Sequence, residues 1–246
     1  MAITHNVAAW AANVHYEDLP AEVVRLAKNA ILDTIGVTLA GVDEPAPRIA
    51  RQVVEEDGAR PVAGVIGHSL RTSPESAAFL NGVAGHALDY DDVNHAMTGH
   101  PSVVMLPAVL AAGELAGASG RDLLIGYVAG VEVMCKLGEA MGREHYAAGW
   151  HATSTMGTLG AAVAAGKALG LSAEQLVHAL AIAVSEASGS RQNFGTMVKP
   201  FHAGHAARAG VHAARLAQRR FEGDVTALEA PLGYFALFSL GQARPE

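Results

Sequence analysis

The stretch TSTMGTLGAAVAAGKAL, residues 153–169, decides the fold that the sequence predicts. It has the length of a helix, and almost every residue in it is small or apolar. The same bias runs through the whole chain, whose apolar content is mostly Ala and Gly and whose aromatic content is only 5%. Small side chains allow helix backbones to approach closely, so we expect a dense, all-helical body.

The chain of 246 residues is long enough to bury a substantial core. No internal repeat, low-complexity segment or linker divides it, so we predict one domain over residues 1–246. The predicted fold class is all-α, a helical bundle with at most one small β-hairpin. That hairpin would contain PVAGVIG, residues 61–67, the one convincing short strand.

Start and stop signals place the predicted helices. Pro20 and Pro74 stand near the first turns of two helices, and Ser172 with Gln175 forms a capping box. Pro107 should kink its helix or lie in the first turn. SGSRQNFGTMVKP, residues 188–200, is interpreted as a loop. The predicted helices cover residues 20–40, 45–56, 73–87, 103–117, 120–134, 153–169, 172–185 and 202–219.

Composition excludes several classes of protein. The single cysteine, Cys135, excludes an internal disulfide and a multi-cysteine zinc site. The net charge of −7 disfavours nucleic acid as a partner. The N-terminus lacks the features of a signal peptide, and no apolar run is long enough to span a membrane, so we predict a soluble cytoplasmic protein.

Charge is unevenly distributed along this acidic chain. Residues 187–221 contain no Asp or Glu but hold six Lys and Arg residues and three His residues. A local anion-binding site would explain this cationic window. A basic helix face that pairs with acidic residues elsewhere would explain it equally well.

A second unusual stretch is GHALDYDDVNHAMTGHPS, residues 85–102. A metal site, a metal-free acid/base site and a polar loop without chemistry are the three alternatives. Mixtures of His and Asp bind zinc, manganese or iron. The paired aspartates also resemble an aspartate-rich magnesium motif, but the later position of that motif is His95 here, and His is a poor magnesium ligand. The stretch crowds six titratable side chains together: His86, Asp89, Asp91, Asp92, His95 and His100.

The metal-free alternative requires imidazoles for proton transfer and cations that bind a carboxylate substrate. His100, His151 and Lys199 supply both kinds of group, and each lies at the predicted mouth of a helix. A buried acid such as Asp89 would orient an imidazole or hold it charged. Each of these residues taken singly is also compatible with a capping, core or surface role.

Several long motifs resemble the MmgE/PrpD family, which includes 2-methylcitrate dehydratase, cis-aconitate decarboxylase and iminodisuccinate epimerase. They are NGVAGHALDYDDV, HPSVVMLPAVLAAGE, WHATSTMGTLGAAVAAGKALGL, SGSRQNFGTMVKPFHAGHAARAGVHAARLAQRRF and ALEAPLGYFALFS. The resemblance implies a helical bundle with a separate α+β lid domain, a homodimer, and chemistry on di- or tricarboxylates in the cleft between the domains. It implies no metal and no other cofactor.

The resemblance also assigns residues, motif by motif. It places catalytic groups at Asp89, His100, His151 and Lys199, with His202 beside the lysine. We predict that the substrate is bound by Lys199, His202 and Arg191. Val93 stands where many members have Thr, so a hydroxyl contact to the substrate is missing.

The resemblance ends at Glu246, before the family's lid, so we expect an N-terminal fragment, a truncated product, or one subunit of a split enzyme with a separate lid subunit. The predicted reaction is removal of the proton α to a carboxylate with loss of a β-hydroxyl, as in the 2-methylcitrate dehydratase of propionate catabolism. Decarboxylation and epimerisation are alternatives that share the carbanion intermediate. A non-catalytic helical protein without a lid is the alternative from another class.

Overall fold

A computed structural model describes residues 2–245, and about two-thirds of the chain is helical (67%). This confirms the all-α prediction. The helices in the described part are α1 (Ile3–Asn13), α2 (Ala21–Gly41), α3 (Pro45–Asp57), α4 (Pro74–Gly85), α5 (Ser102–Ala116), α6 (Gly120–Ala147), α7 (Ala152–Ala168), α8 (Ala173–Glu186), α9 (Val198–Gln218) and α10 (Tyr234–Phe238).

Between α3 and α4 the chain forms the predicted hairpin, and it is very small. Strand β1 (Ala63–Gly64) pairs antiparallel with β2 (Arg71–Thr72), with Ala63 opposite Thr72. Within residues 2–245 this is the only sheet. It lies at the edge of the bundle, where Arg71 pairs with Glu114 of α5.

Helix α7 is the centre of the bundle. Sixteen of its 17 residues are buried, which is the state expected of a helix that is apolar or small on every side. It packs against α5, α6, α8 and α9. A Cβ added at Gly160 would lie 2.8 Å from the carbonyl oxygen of Gly130 on α6, so a side chain at this position would push the two helices apart.

A second close approach joins α4 to α9. A Cβ added at Gly82 of α4 would lie 2.7 Å from the Cα of Gly204 of α9. The two backbones therefore touch at this crossing. Because Gly82 is near the end of α4 and Gly204 is near the start of α9, the contact brings the loop after α4 close to the first turn of α9.

Most predicted helix boundaries agree with the structure. The Ser172–Gln175 capping box is present, and the Ser73 side chain accepts a hydrogen bond from the backbone of Ser76 at the start of α4. Pro107 lies inside α5, past its first turn. No helix in residues 2–245 combines the length and the apolarity needed to cross a membrane.

The predicted start of the last long helix is wrong. Helix α9 begins at Val198, four residues before the predicted start at residue 202. Pro200 was interpreted as part of a loop, but it is the third residue of the helix, where a missing N–H leaves no hydrogen bond unmade. Lys199 and His202 therefore both lie in the first turns of α9.

Candidate active site

Three helices begin at one place in the bundle. His100 lies just before α5, His151 is the N-cap residue of α7, and Lys199 is the second residue of α9. Helix N-termini carry a partial positive charge and free N–H groups, so their convergence favours an anionic ligand. His86 immediately follows the end of α4 and completes the group.

The loop after α4 buries a carboxylate between two imidazoles. Nδ1 of His86 lies 2.9 Å from both oxygens of Asp91. Nδ1 of His100 lies 3.0 Å from Oδ2 of the same carboxylate, close enough for an ion pair although it is not aligned as a linear hydrogen bond. The rings of His86 and His100 stack edge to face with their centroids 4.6 Å apart.

These contacts shift pKa values in opposite directions. Burial alone would raise the pKa of Asp91 and lower that of His100, but their mutual contact and charge outweigh burial in both cases. The pKa of Asp91 is therefore far below its usual range, and the pKa of His100 is raised. The buried anion thus favours the cationic form of His100.

Asp89 forms a second, more exposed ion pair. It accepts a hydrogen bond from Nζ of Lys199, and its Oδ1 lies 3.8 Å from Nε2 of His100. Burial opposes ionisation of Asp89, but Lys199 outweighs it, so the pKa of Asp89 is lowered. The φ angle of Asp89 is +52°, a left-handed conformation that Asp tolerates better than most residues.

Two further imidazoles, those of His151 and His202, belong to the same group of side chains. The Nδ1 atoms of His151 and His202 are 3.0 Å apart, and both side chains are buried. Burial, reinforced by neighbouring imidazoles, lowers the pKa of His151 to about 2 and that of His202 to about 4. Both rings are therefore neutral near pH 7, and the shifts of their pKa values are opposite in direction to that of His100.

An aromatic wall flanks the cations. The ring of Phe194 packs edge to face on His151, with centroids 4.8 Å apart, and Nζ of Lys199 lies 5.5 Å from its centroid. The loop that carries Phe194 is fixed by a hydrogen bond of 2.9 Å from the backbone N–H of His151 to the carbonyl of Gly189. Phe194 was not predicted as a site residue, and its only signal was an apolar side chain in the loop before Lys199.

The paired aspartates have separate roles. Asp92 accepts hydrogen bonds from the backbone N–H and the hydroxyl of Ser102, the first residue of α5, and so caps that helix. Ser102 is fully buried and also bonds the hydroxyl of Tyr127 at 2.6 Å. Asp92 therefore fixes the start of the helix that His100 precedes.

The structure brings together five of the six predicted site residues: Asp89, His100, His151, Lys199 and His202. Arg191 lies at the edge of the group: its guanidinium is 5.6 Å from the centroid of Phe194, but it donates a 2.6 Å hydrogen bond to the carbonyl of Tyr146 and stacks on the Tyr146 ring at 3.4 Å. The expectation that Asp89 is buried is wrong, since its side chain is 56% exposed and the buried acid beside His100 is Asp91. The catalytic and binding roles themselves stay predictions.

Four side chains each place one potential metal ligand atom within 4.8 Å of the others: His86, Asp89, Asp91 and His100. His and Asp mixtures suit zinc, manganese or iron. Here, however, Asp91 already faces two imidazole nitrogens and Asp89 is paired with an ammonium group. A cation would have to displace Lys199 and compete for the Asp91 oxygens, so this arrangement fits ion pairing within the protein better than metal binding.

Comparison with known proteins identifies the family. A model described as the MmgE/PrpD N-terminal domain matches residues 5–246. The chain belongs to the MmgE/PrpD family.

The MmgE/PrpD chain is also similar to curated proteins named cis-aconitate decarboxylase. It is 36% identical to the one from Homo sapiens over 244 residues, which cover 97% of this chain and 50% of that protein. The identity to the one from Mus musculus is 34% over 244 residues (97% and 50%). The identity to the one from Aspergillus terreus is 31% over 250 residues (98% and 51%).

The chain therefore spans about half the length of the curated relatives it matches. These relatives are named for a lyase reaction on a carboxylate, so the MmgE/PrpD family includes lyases of this type.

Proposed function

We propose that this chain forms one wall of the active site of a metal-independent lyase that acts on a di- or tricarboxylate. Cis-aconitate is the first candidate substrate, because the curated relatives are named for its decarboxylation. The observation that carries the proposal is the location of His100, whose pKa is raised, beside Lys199 at the meeting point of three helix N-termini.

Binding of a multiply charged anion follows from this arrangement. Lys199 is paired only with the exposed carboxylate of Asp89 among the described residues. A substrate carboxylate would replace Asp89 or share the ammonium group with it. The positive ends of the α7 and α9 dipoles, at Ala152 and Val198, also favour a second carboxylate.

Decarboxylation would then use the residues as follows. The carbon–carbon bond to one carboxylate breaks, carbon dioxide leaves, and the electron pair stays on carbon, delocalised into a neighbouring carboxylate. Lys199 and the helix dipoles stabilise this charge. His100 donates a proton to the carbanion and is reprotonated from solvent, so the reaction needs no oxidant or reductant.

The pKa directions favour decarboxylation over dehydration. Dehydration requires a base that removes the proton α to a carboxylate, and the low pKa of His151 makes it a weak base. Decarboxylation requires an acid and a cation, which His100 and Lys199 supply. Dehydration of a hydroxytricarboxylate is the second candidate, because the 56% exposed carboxylate of Asp89 lies 3.8 Å from His100. Lys199 lowers the pKa of Asp89, so this carboxylate would also be a weak base.

The test supplies the purified protein with cis-aconitate, citrate or 2-methylcitrate in deuterated water and follows the products by NMR. Decarboxylation predicts loss of carbon dioxide from cis-aconitate and one deuterium at the protonated carbon. His100→Gln should lower kcat/KM by roughly 100-fold or more. His95→Gln, which changes an exposed histidine of the same loop, is the matched control.

If the protein turns over citrate or 2-methylcitrate but not cis-aconitate, the reaction to assign is dehydration and not decarboxylation. Folded protein that neither binds nor turns over any of the three would refute the proposal. Equal activity of the two variants would remove His100 from the mechanism.

A further inference from the structure

Asp91 is the most deeply buried acid of the candidate site. Its side chain has no exposed surface, and neither has that of His86. A buried carboxylate is costly unless hydrogen-bond donors or cations surround it. Both of its oxygens face His86, and Oδ2 also faces His100.

We infer that Asp91 is a positioning residue: it fixes the His100 ring with Nδ1 toward the protein interior and Nε2 toward the bound substrate. This inference rests on the proposed function for its catalytic meaning, but the orientation and tautomer of His100 are properties of the protein alone.

The two nitrogens of His100 have different surroundings. Nδ1 lies 3.0 Å from the buried carboxylate of Asp91, whereas Nε2 lies 3.8 Å from Asp89, whose side chain is 56% exposed. Because an ionised carboxylate only accepts hydrogen bonds, this close contact favours the hydrogen on Nδ1 in both protonation states of the ring, although the contact is not a linear hydrogen bond. The proton that the ring gains or loses is therefore the one on Nε2, on the side of Asp89 and Lys199.

His86 holds the carboxylate in place. Its Nδ1 lies 2.9 Å from each oxygen of Asp91, and this symmetric contact restrains rotation of the carboxylate. The edge-to-face contact of the His86 and His100 rings fixes the ring plane of His100 as well. A histidine–aspartate pair of this kind selects the productive tautomer of a catalytic imidazole in other enzymes.

Asp89 is not able to perform this function. It is exposed, it is farther from the ring, and it accepts a hydrogen bond from Lys199. The two acids of this loop thus differ in a way that an experiment resolves, since the same Asp→Asn substitution is available at both positions.

The direct test is the tautomer of His100 in the substrate-free protein, read from the nitrogen-15 chemical shifts of its ring at a pH where it is neutral. His100→Gln identifies the signals among the 12 histidines. We expect hydrogen on Nδ1 and a bare Nε2 in the unsubstituted protein. A dominant Nε2–H tautomer would overturn the inference, and this measurement needs no activity.

The matched pair of variants gives a second test. Asp91→Asn should mix or reverse the tautomers of His100, whereas Asp89→Asn should leave the Nδ1–H form dominant. With an active enzyme, Asp91→Asn should lower kcat by at least about tenfold and change KM by less than about threefold. Equal effects of the two variants on the tautomer would contradict the inference.

The two proposals fail separately. A folded protein that neither binds nor turns over the three tricarboxylates but has an Nδ1–H tautomer at His100 would overturn the proposed lyase function and leave the positioning role of Asp91 intact. An active enzyme with the Nε2–H tautomer would do the reverse.

Discussion

The Nδ1 atoms of His151 and His202 lie 3.0 Å apart inside the bundle, so a single hydrogen must join the two rings. One ring donates from Nδ1 and is the Nδ1–H tautomer, and the other accepts at Nδ1 and carries its hydrogen on Nε2. Protonation of both rings would place two donors against each other. The pair is therefore stable only while at least one ring is neutral.

Replacing one partner should destabilise the protein. His202→Leu, which nearly conserves volume, leaves Nδ1 of His151 buried without a partner, and we expect a loss of about 1–3 kcal/mol in the free energy of unfolding. Urea denaturation measures it. The control is His212→Leu, because the side chain of His212 is 50% exposed, and its pairing with Glu186 contributes little. Equal losses in the two variants would show that the buried His151–His202 contact contributes no more to the free energy of unfolding than the exposed contact of His212.

Acid should unfold the protein through the same pair. The pKa values of His151 and His202 are lowered from 6.5 to about 2 and about 4. The folded state therefore binds fewer protons than the unfolded state, and this contribution is full above pH 6.5 and is lost as the pH falls toward those lowered values. We therefore expect the urea concentration at the midpoint of unfolding to decrease as the pH is lowered from 7 to 4.

His100 contributes with the opposite sign. Its pKa is raised, so its contribution to stability is full below the usual 6.5 and is lost as the pH rises through the raised value. In His100→Gln the loss of stability on acidification should therefore be larger than in the unsubstituted protein. A smaller loss would mean that the pKa of His100 is not raised by folding.

Tricarboxylate binding should depend on Lys199. We expect Lys199→Met to weaken binding of cis-aconitate by at least about tenfold, because a desolvated charge-assisted contact is worth about 1.5–3 kcal/mol. Calorimetric titration measures the affinity. Lys136→Met is the control, since Lys136 pairs only at the surface with Glu139.

Metal removal should leave the activity unchanged. Asp91 is committed to two imidazoles, and Asp89 is paired with Lys199, so we expect chelators to have no effect on turnover. Turnover with and without a chelator, followed by addition of zinc, manganese or iron, measures this. If a chelator abolishes activity and one of these ions restores it, the candidate metal ligands would be His86, Asp89, Asp91 and His100.

Helix packing gives a matched pair of glycine substitutions. A Cβ at Gly210 of α9 would lie 2.6 Å from the backbone of Ala161 in α7, whereas a Cβ at Gly36 of α2 would meet nothing within 4 Å. Gly210→Ala should therefore cost about 1–3 kcal/mol in the free energy of unfolding. Gly36→Ala should increase it by about 0.5–1 kcal/mol. Similar values in thermal or urea unfolding would contradict the close packing of α7 and α9.

Much of the fold followed from local sequence signals. The small residues of the chain predicted a dense helical body with a helix over residues 153–169, and Ser73 and Ser172 marked two helix starts that the structure confirms. These features depend on neighbours in the chain. The start of α9 was placed too late because Pro200 is compatible with both a loop and a first helical turn.

The candidate site was only partly predictable, because its contacts join distant segments. Lys199 and Asp89 are 110 positions apart, and His151 and His202 are 51 apart. Sequence motifs brought these residues to attention one by one. No pattern distinguishes the buried Asp91 from the exposed Asp89 two positions earlier, since that difference is set by how the loop packs on other helices.

The contact between Gly82 and Gly204 has a consequence for engineering this protein. Since no atom separates the two backbones, the distance between the end of α4 and the start of α9 is set by the crossing itself. A side chain at either glycine would push the two helices apart and move the loop after α4 away from the first turn of α9. Attempts to alter its chemical selectivity should therefore target loop side chains such as Val93 and Phe194 and leave this crossing untouched.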